Sequence, residues 1–247
     1  MKKNKEIFKY ETHCHTSPVS ACAKASPEDT VRFYKEIGYD GVFITNHFID
    51  GNMNPDAKKL PFREQIDYFC QDYERAVEEG NKVGIHVFFG VELAYKGTDF
   101  LVYGLDADWY KRHPEIAEMK KTEELELMMS ENCLIVQAHP YREAYYIDHI
   151  RLFPRHVHGV EVWNACQPDA ANKMAELYAE HYGLLRFAGS DNHWGGAAAE
   201  HMIRKSMKPQ LAGMMSEERV TNEKDFVLKF FDGKLVPFVQ KLTDETE

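Results

Sequence analysis

Two rhythms of apolar residues alternate along this chain. Short, largely β-branched or aromatic runs at Ile7 to Thr12, Gly41 to Thr45, Ile85 to Val91, Asp99 to Gly104, Leu134 to Ala138, Gly159 to Trp163 and Arg186 to Ala188 read as strands. Between them apolar residues recur at helical spacing: Val31, Tyr34 and Ile37; Ile66, Phe69, Cys70, Tyr73 and Val77; Ala171, Met174, Ala175, Tyr178 and Tyr182. Ser26-Pro27-Glu28-Asp29 supplies an N-cap, a first-turn proline and acids that suit a helix start, while Gly38, Gly80 and Gly183 close helices. Asp108 to Asn132 is polar and helix-favouring with a break at His113-Pro114, and a last helix is expected over Asn222 to Asp232 with Phe226 and Phe230 inward.

Short strands alternating with amphipathic helices predict an α/β fold with a parallel, helix-covered sheet. Closed into a TIM-like barrel, such a sheet gathers its strand exits on one face. With no internal repeat, low-complexity run or linker, residues 1–247 are expected to form a single domain. Ser17-Pro18 with Ser20 to Lys24 and the longer Phe48 to Pro61 read as loops, the second long enough to cover part of a site.

The strand exits carry the chemistry. Tyr10-Glu11-Thr12-His13-Cys14-His15-Thr16 places two histidines one residue apart on an extended backbone, so His13 and His15 share a face and Cys14 takes the other. Thr45-Asn46-His47, Gly90-Val91-Glu92, Gln137-Ala138-His139-Pro140 and Gly189-Ser190-Asp191-Asn192-His193 then each deliver metal-ligand residue types just after an apolar run. His86, His113, His149, His156, His158, His181 and His201 lack that context and read as surface or structural.

A net charge of −10 disfavours broad contact with a nucleic-acid polymer. No run approaches a membrane span, and a cytoplasmic location is expected. The five cysteines, odd in number and without a Cys-x-x-Cys pair, read as reduced thiols, with Cys70 and Cys133 in the core.

Taken together, His-x-His-Thr, the Thr-Asn-His triplet, Gly-x-Glu, Ala-His-Pro and Gly-Ser-Asp-x-His in this order resemble the PHP family, named for polymerase and histidinol phosphatase domains. The resemblance implies a distorted seven-stranded (β/α)7 barrel and a metal-dependent phosphoesterase. It makes His13 and His15 ligands of one metal, with Glu92 bridging and Asp191 completing the set, and assigns His47, His139 and His193 to a second or third metal. The family often has Asp where Asn46 stands. Its trinuclear members carry two further ligands: one falls near Ser20, Ala21 and Cys22, and the other is a histidine where this chain has Asp99, whose oxygen can still ligate.

Two or three divalent ions are therefore expected, held by imidazoles and carboxylates without a thiolate, a donor set that suits Zn²⁺, Mn²⁺ or Fe. The chemistry implied is hydrolysis of a small phosphorylated substrate by attack of a metal-bound hydroxide, releasing inorganic phosphate. His139 or His193 is expected to protonate the leaving group, and Arg142 to contact the phosphate ahead of Arg63 and Lys24. Glu161 is expected to be a paired interior carboxylate, Asn164 a turn or substrate residue, and Cys166 and Trp194 packing groups. Specificity is expected in Phe48 to Pro61 and in Tyr141 to Leu152, where Tyr141, Tyr145 and Tyr146 cluster. The competing readings are an amidohydrolase-like enzyme acting on a non-phosphate bond and a non-catalytic metal-binding protein of the same family.

Overall fold

The computed structural model describes residues 6–242. Seven strands fall where the apolar runs predict: β1 (Phe8–Cys14), β2 (Gly41–Ile44), β3 (His86–Tyr95), β4 (Thr98–Tyr103), β5 (Leu134–Ala138), β6 (Gly159–Asn164) and β7 (Leu185–Gly189). Two more, β8 (Gln210–Ser216) and β9 (Val236–Lys241), raise the total to nine, correcting the expected seven. Pro237 argues against a strand from sequence, and it is tolerated because β9 is the outermost strand beside β8. The sheet order is β7-β6-β5-β4-β3-β2-β1-β8-β9.

The sheet is mixed rather than parallel. β4 runs antiparallel to both β3 and β5, and β8 antiparallel to β1 and β9. The reason for the first reversal is local: Lys96 (φ 51°) and Gly97 (φ 82°) form a two-residue turn, too short for any crossover to a parallel neighbour. Reversal has a chemical consequence, because Asp99 at the start of β4 arrives at the rim where β3 delivers Glu92 and β5 delivers His139. Asp99 pairs in register with Ala94 on one side and Ala138 on the other.

The sheet rolls into a nearly closed barrel. The exit of β7 returns to β1, where His15 N–H donates to Asn192 O (2.9 Å) and Asn192 N–H to His13 O (3.3 Å). Interior and exterior residues alternate along the strands. Tyr10, Phe43, Phe88, Leu101, Tyr103, Leu134, Val136 and Phe187 fill the interior, with Phe226 and Phe230 of α7 (Glu223–Phe231) packed among them. The opposite faces, including Phe89, Val91, Val102 and Ile135, pack against α2 (Phe62–Val83), α3 (Ala107–Arg112), α4 (Lys121–Met129) and α5 (Asp169–Tyr182). Cys70 and Cys133 lie in this outer core as expected.

Helix boundaries follow their caps. Ser26 Oγ accepts from Asp29 N–H at 3.1 Å to open α1 (Pro27–Glu36), and Asn222 Oδ1 accepts from Asp225 N–H at 2.9 Å to open α7. α2 runs past Gly80 to a left-handed cap at Gly84. A short α6 (Ala198–Arg204) follows the Asp191 segment, where no helix was expected. Among the described residues no helix is long and apolar enough to cross a membrane.

Candidate metal centre

His13 and His15 do share a face, but simple alternation does not choose which one. Phe8 and Tyr10 point into the barrel, and strict period two would send Thr12 and Cys14 after them. A register shift between Glu11 and Cys14 intervenes, so the histidines turn inward and Cys14 packs outward beside Val31 and Tyr34. The buried Glu11 carboxylate holds this irregularity by accepting the Thr12, His13 and Ser190 N–H groups at 2.9, 2.9 and 3.0 Å. Burial pushes its pKa up to about 7 against those hydrogen bonds.

On the other strands the interior parity carries straight through: Phe43 to His47, Phe88 to Glu92, and Tyr103 back to Asp99. His139 (φ 26°) and Asp191 (φ 56°) are instead re-aimed by left-handed backbone just past their strands. Non-glycine residues rarely adopt that conformation, and it persists where surrounding bonds over-determine it. Glu161 Oε2 anchors the His139 N–H at 2.9 Å.

The result is a convergence of ring nitrogens and carboxylate oxygens. His13 Nε2 lies 3.1 Å from Glu92 Oε1 and 3.5 Å from Asp191 Oδ1; His15 Nε2 lies 3.4 Å from Glu92 Oε2 and 3.3 Å from Asp191 Oδ1. His139 Nε2 stands 3.3 Å from Glu92 Oε1 and 3.8 Å from Asp99 Oδ2, and His47 Nδ1 is 2.6 Å from Glu92 Oε2. His193 completes the group through its stack on His15, with ring centroids 4.2 Å apart. All eight residues expected as metal ligands, His13, His15, His47, Glu92, Asp99, His139, Asp191 and His193, are thus brought together.

Tautomers are set from behind. Glu161 Oε1 accepts from His13 Nδ1 at 2.9 Å, and the Asp191 carbonyl accepts from His193 Nδ1 at 2.9 Å. Ser20 Oγ, whose proton goes to Asn46 Oδ1 (2.8 Å), accepts from His15 Nδ1 at 3.3 Å. With the ring neutral, each such bond places the proton on the outer nitrogen and aims the Nε2 lone pair inward.

These inner atoms fit ions rather than one another. His13 Nε2, His15 Nε2, His47 Nδ1 and Glu92 Oε2 are buried without a hydrogen-bond partner despite their proximity. Two ligand atoms about 2.1 Å from one tetrahedral ion lie about 3.4 Å apart, the spacing found around His13, His15, Glu92 and Asp191. Acids and imidazoles offset burial for one another: burial would raise the pKa of Glu92, but the surrounding His47, His13 and His15 hold it well below the usual carboxylate range, and against burial the neighbouring acids hold His13 and His47 well above an ordinary histidine. His15 is driven well below an ordinary histidine by burial and by His193 and His47.

Sequence reasoning understated two side chains. Glu161 is the paired interior carboxylate expected, and it also orients His13 and anchors His139 while Asn164 Nδ2 donates to it at 2.9 Å. Cys22 hydrogen-bonds the His193 and His47 rings, which, against the opposing effect of burial, brings its thiol down to about 6. The groups whose donor atoms lie within ligand range of one another are nonetheless imidazoles and carboxylates, the donor set expected; Cys22 stands beside them, near one of the unmatched ligand positions. Asn46 has its own compensation in the buried Asp72, whose Oδ2 accepts from Thr16 Oγ1 (2.9 Å) and lies 3.5 Å from Asn46 Nδ2.

Arg142 reaches the rim, 3.3 Å from Asp99 Oδ2 and over the Tyr146 ring. Lys24 is an exposed neighbour whose N–H donates to His193 O at 2.7 Å, while Arg63 lies exposed on the first turn of α2. Cys166 Sγ lies 3.5 Å from Asp191 O, and Trp194 stacks on His201. The Phe48 to Pro61 segment is anchored rather than loose: Phe48 and Met53 are buried, and Asn52 O accepts from Ala21 N–H at 2.9 Å.

The sequence matches the PHP domain over residues 11–218. No curated protein matches it. Among solved structures, it is similar to a two-domain protein from Bacteroides vulgatus containing a predicted PHP-like metal-dependent phosphoesterase, with a TM-score of 0.66 and 16% identity over 94% of this chain and 65% of that one. The chain thus spans less than two thirds of that protein. It is also similar to an amidohydrolase from Chromobacterium violaceum, solved with bound sulfate and no metal, with a TM-score of 0.50 and 12% identity over 97% of this chain and all (100%) of that one. At these identities the likeness is one of fold.

Proposed function

For a chain that belongs to the PHP family, we propose metal-dependent hydrolysis of a small phosphomonoester at the barrel mouth. The observation that carries this reading is the set of buried, unpartnered inner atoms on His13, His15, His47 and Glu92, spaced as ligands of common ions. His13, His15, Glu92 and Asp191 would hold one divalent ion, His139, Asp99 and Glu92 a second, and His47 and His193, grouped with His15, would serve a third. When bound, Zn²⁺, Mn²⁺ or Fe would supply Lewis acidity to a phosphoryl oxygen and lower the pKa of a water towards neutrality.

The protein's own groups supply position and proton transfer. Arg142, held by Asp99, offers a planar pair of donors to phosphate oxygens at the rim. His139 is enclosed, with its Nε2 committed to Glu92, so its role is to hold the centre together. His193 sits at the solvent edge, and it is the histidine placed to pass a proton to a departing alkoxide when its Nε2 is free. Glu161 and Ser20 keep the His13 and His15 lone pairs aimed inward.

The test is metal analysis joined to turnover. Protein reconstituted with Mn²⁺, Zn²⁺ or Fe²⁺ should release phosphate from p-nitrophenyl phosphate and from some members of a panel of sugar, nucleoside and amino-alcohol phosphates, and His13→Ala/His15→Ala should abolish it. Metal-loaded protein that cleaves amide or carboxyl-ester substrates but no phosphoester would overturn the phosphoesterase reading in favour of the amidohydrolase-like one. Loaded protein without turnover on either panel would favour a non-catalytic binder.

A further inference from the structure

A cavity of about 720 Å³ opens between the Phe48 to Pro61 segment, the end of β3 and the start of α4, and none of the eight candidate metal ligands lines it. Its size suits a small molecule, since ligand cavities usually run to about 300–1,000 Å³. The apolar lining includes Phe48, Tyr95, Ile116, Met119 and Phe153. Phe48 and Ile116 are buried in the outer core, and the Tyr95 and Phe153 rings meet edge to face with centroids 6.1 Å apart, so these walls are held by packing.

The polar lining is built around a buried ammonium. The Lys121 side chain is only 7% exposed, and its Nζ lies 2.6 Å from Asp50 Oδ2 and 2.6 Å from Glu124 Oε2. Asp50 is fixed in turn by Ala94 N–H, which donates to its Oδ1 at 3.1 Å. An ammonium carries three N–H donors, and two acids leave one for another acceptor. Against burial, Asp50 and Glu124 hold the Lys121 pKa above that of an ordinary lysine, while burial pushes Glu124 up to about 7 despite Lys121.

Charge around the cavity runs against that of the whole chain. Lys58, Lys120 and Lys121 line it against Asp50 and Glu124, an excess of one positive charge in a protein of net charge −10. The first turn of α4 adds to this excess: Lys120 occupies its N-cap without a side-chain hydrogen bond to the helix, and Lys121 and Thr122 of that turn are part of the lining.

We propose that this cavity is a second binding site, for a small monocarboxylate with an apolar body, either a straight-chain or an aryl-alkyl acid. The carboxylate takes the remaining Lys121 donor at the positive end of α4, and the hydrocarbon lies against Phe48, Tyr95 and Phe153. A single negative charge matches the local excess, whereas a dianion would exceed it beside Asp50 and Glu124. The site is independent of the metal-centre reading.

The full chain would be titrated calorimetrically with acids from butanoate to decanoate and with 4-phenylbutanoate, alongside the matching primary alcohols and alkylammonium ions. Affinity for the acids should rise about three- to fourfold with each methylene until the cavity is filled. The methyl resonances of Ile49, Ile116 and Met119 should shift on binding. Lys121→Met should weaken the acids by about 10–100-fold. Because that change strands Asp50 and Glu124, Ala117→Trp provides a second variant that keeps every charge and fills the space from the rim, and it should abolish binding. His13→Ala/His15→Ala should bind the acids as the parent does, which separates this site from carboxylates captured by metal. No binding of any acid, equal binding of alcohols or ammonium ions, loss in the histidine variant, or unchanged binding in Ala117→Trp would overturn the proposal.

Discussion

Asn46→Asp is the substitution whose cost can be worked most directly from the structure. Asn46 and Asp72 are both fully enclosed. Asn46 Oδ1 accepts from Thr16 N–H (2.7 Å) and Ser20 Oγ (2.8 Å), and its Nδ2 donates to Thr16 Oγ1 (2.9 Å) with Asp72 Oδ2 at 3.5 Å. Among the described residues, the counter-charge to Asp72 in this network is the partly exposed Arg75, with Nη1 at 3.3 Å from Asp72 Oδ1. A second carboxylate in place of the amide would repel Asp72 by about 5 kcal/mol at an effective dielectric constant of about 20. Protonating one aspartic acid at pH 7 costs about 4 kcal/mol, less than the repulsion, so the pair would take up a proton and the loss would saturate near that value.

The pH dependence follows from the sign of the shift. A carboxyl whose pKa is raised in the folded state binds more protons there than when unfolded, so stability falls as pH rises from about 4 towards the raised value. The variant's deficit should therefore grow from about 1.5 kcal/mol at pH 5 to about 4 kcal/mol at pH 7, the latter a drop of roughly 8–16 °C in Tm for a chain of this size. Adding Asp72→Asn exchanges the two groups and should recover most of the loss, giving a coupling of about 2–4 kcal/mol in a double-mutant cycle by urea denaturation. A cost below about 0.5 kcal/mol at pH 7, within the range of ordinary surface substitutions, would refute the reasoning. So would a deficit independent of pH, or no rescue by Asp72→Asn.

Other perturbations test the centre itself. Glu161→Gln keeps the size of the side chain but turns an amide NH₂ towards donors, and should weaken metal affinity by about 10–100-fold in chelator competition. Gly189→Ala would place a methyl 2.7 Å from Glu161 Oε1 and into the space of His13 Cβ, lowering stability by about 1–3 kcal/mol in denaturant titrations and reducing metal content. Chelation of a site held at about a hundred times its Kd should remove about 2.7 kcal/mol per ion, seen as a falling Tm that returned metal restores. Arg142→Ala should raise KM for a phosphomonoester about tenfold or more while leaving unfolding within about 0.5 kcal/mol of the parent; an unchanged KM would remove Arg142 from phosphate binding.

Local chemistry decided much of this protein. Ser26-Pro27 starts α1 and Asn222 starts α7 because a side chain satisfies the first free N–H groups of a helix whatever surrounds it. Seven strands were legible as apolar runs, and β-strand period alone put His13 opposite Cys14 and beside His15. The candidate ligand set was legible because its members, Asp99 at the start of β4 apart, stand towards or just past strand exits, and strand exits converge once the sheet rolls. What escaped depended on distance along the chain. The reversal of β4 was written in Lys96-Gly97, but its value, bringing Asp99 to Glu92 and His139, appears only when three strands are in register. β9 carries a proline that only an outermost strand tolerates, and being outermost is a property of the sheet.

The inward turn of His13 and His15 needs the irregularity at Glu11, and that carboxylate finds one of its partners at Ser190, on the far side of the sequence. Cys22 is likewise an ordinary loop cysteine until the backbone ties of Ala21 and Lys24 set it against His47 and His193. Caps, periods and turns depend on neighbours a few residues away, so the sequence by itself determined them. Tertiary structure decided which face a histidine takes and which thiol meets it, because hydrogen bonds between residues far apart in the chain settle those choices, and no local pattern encodes them.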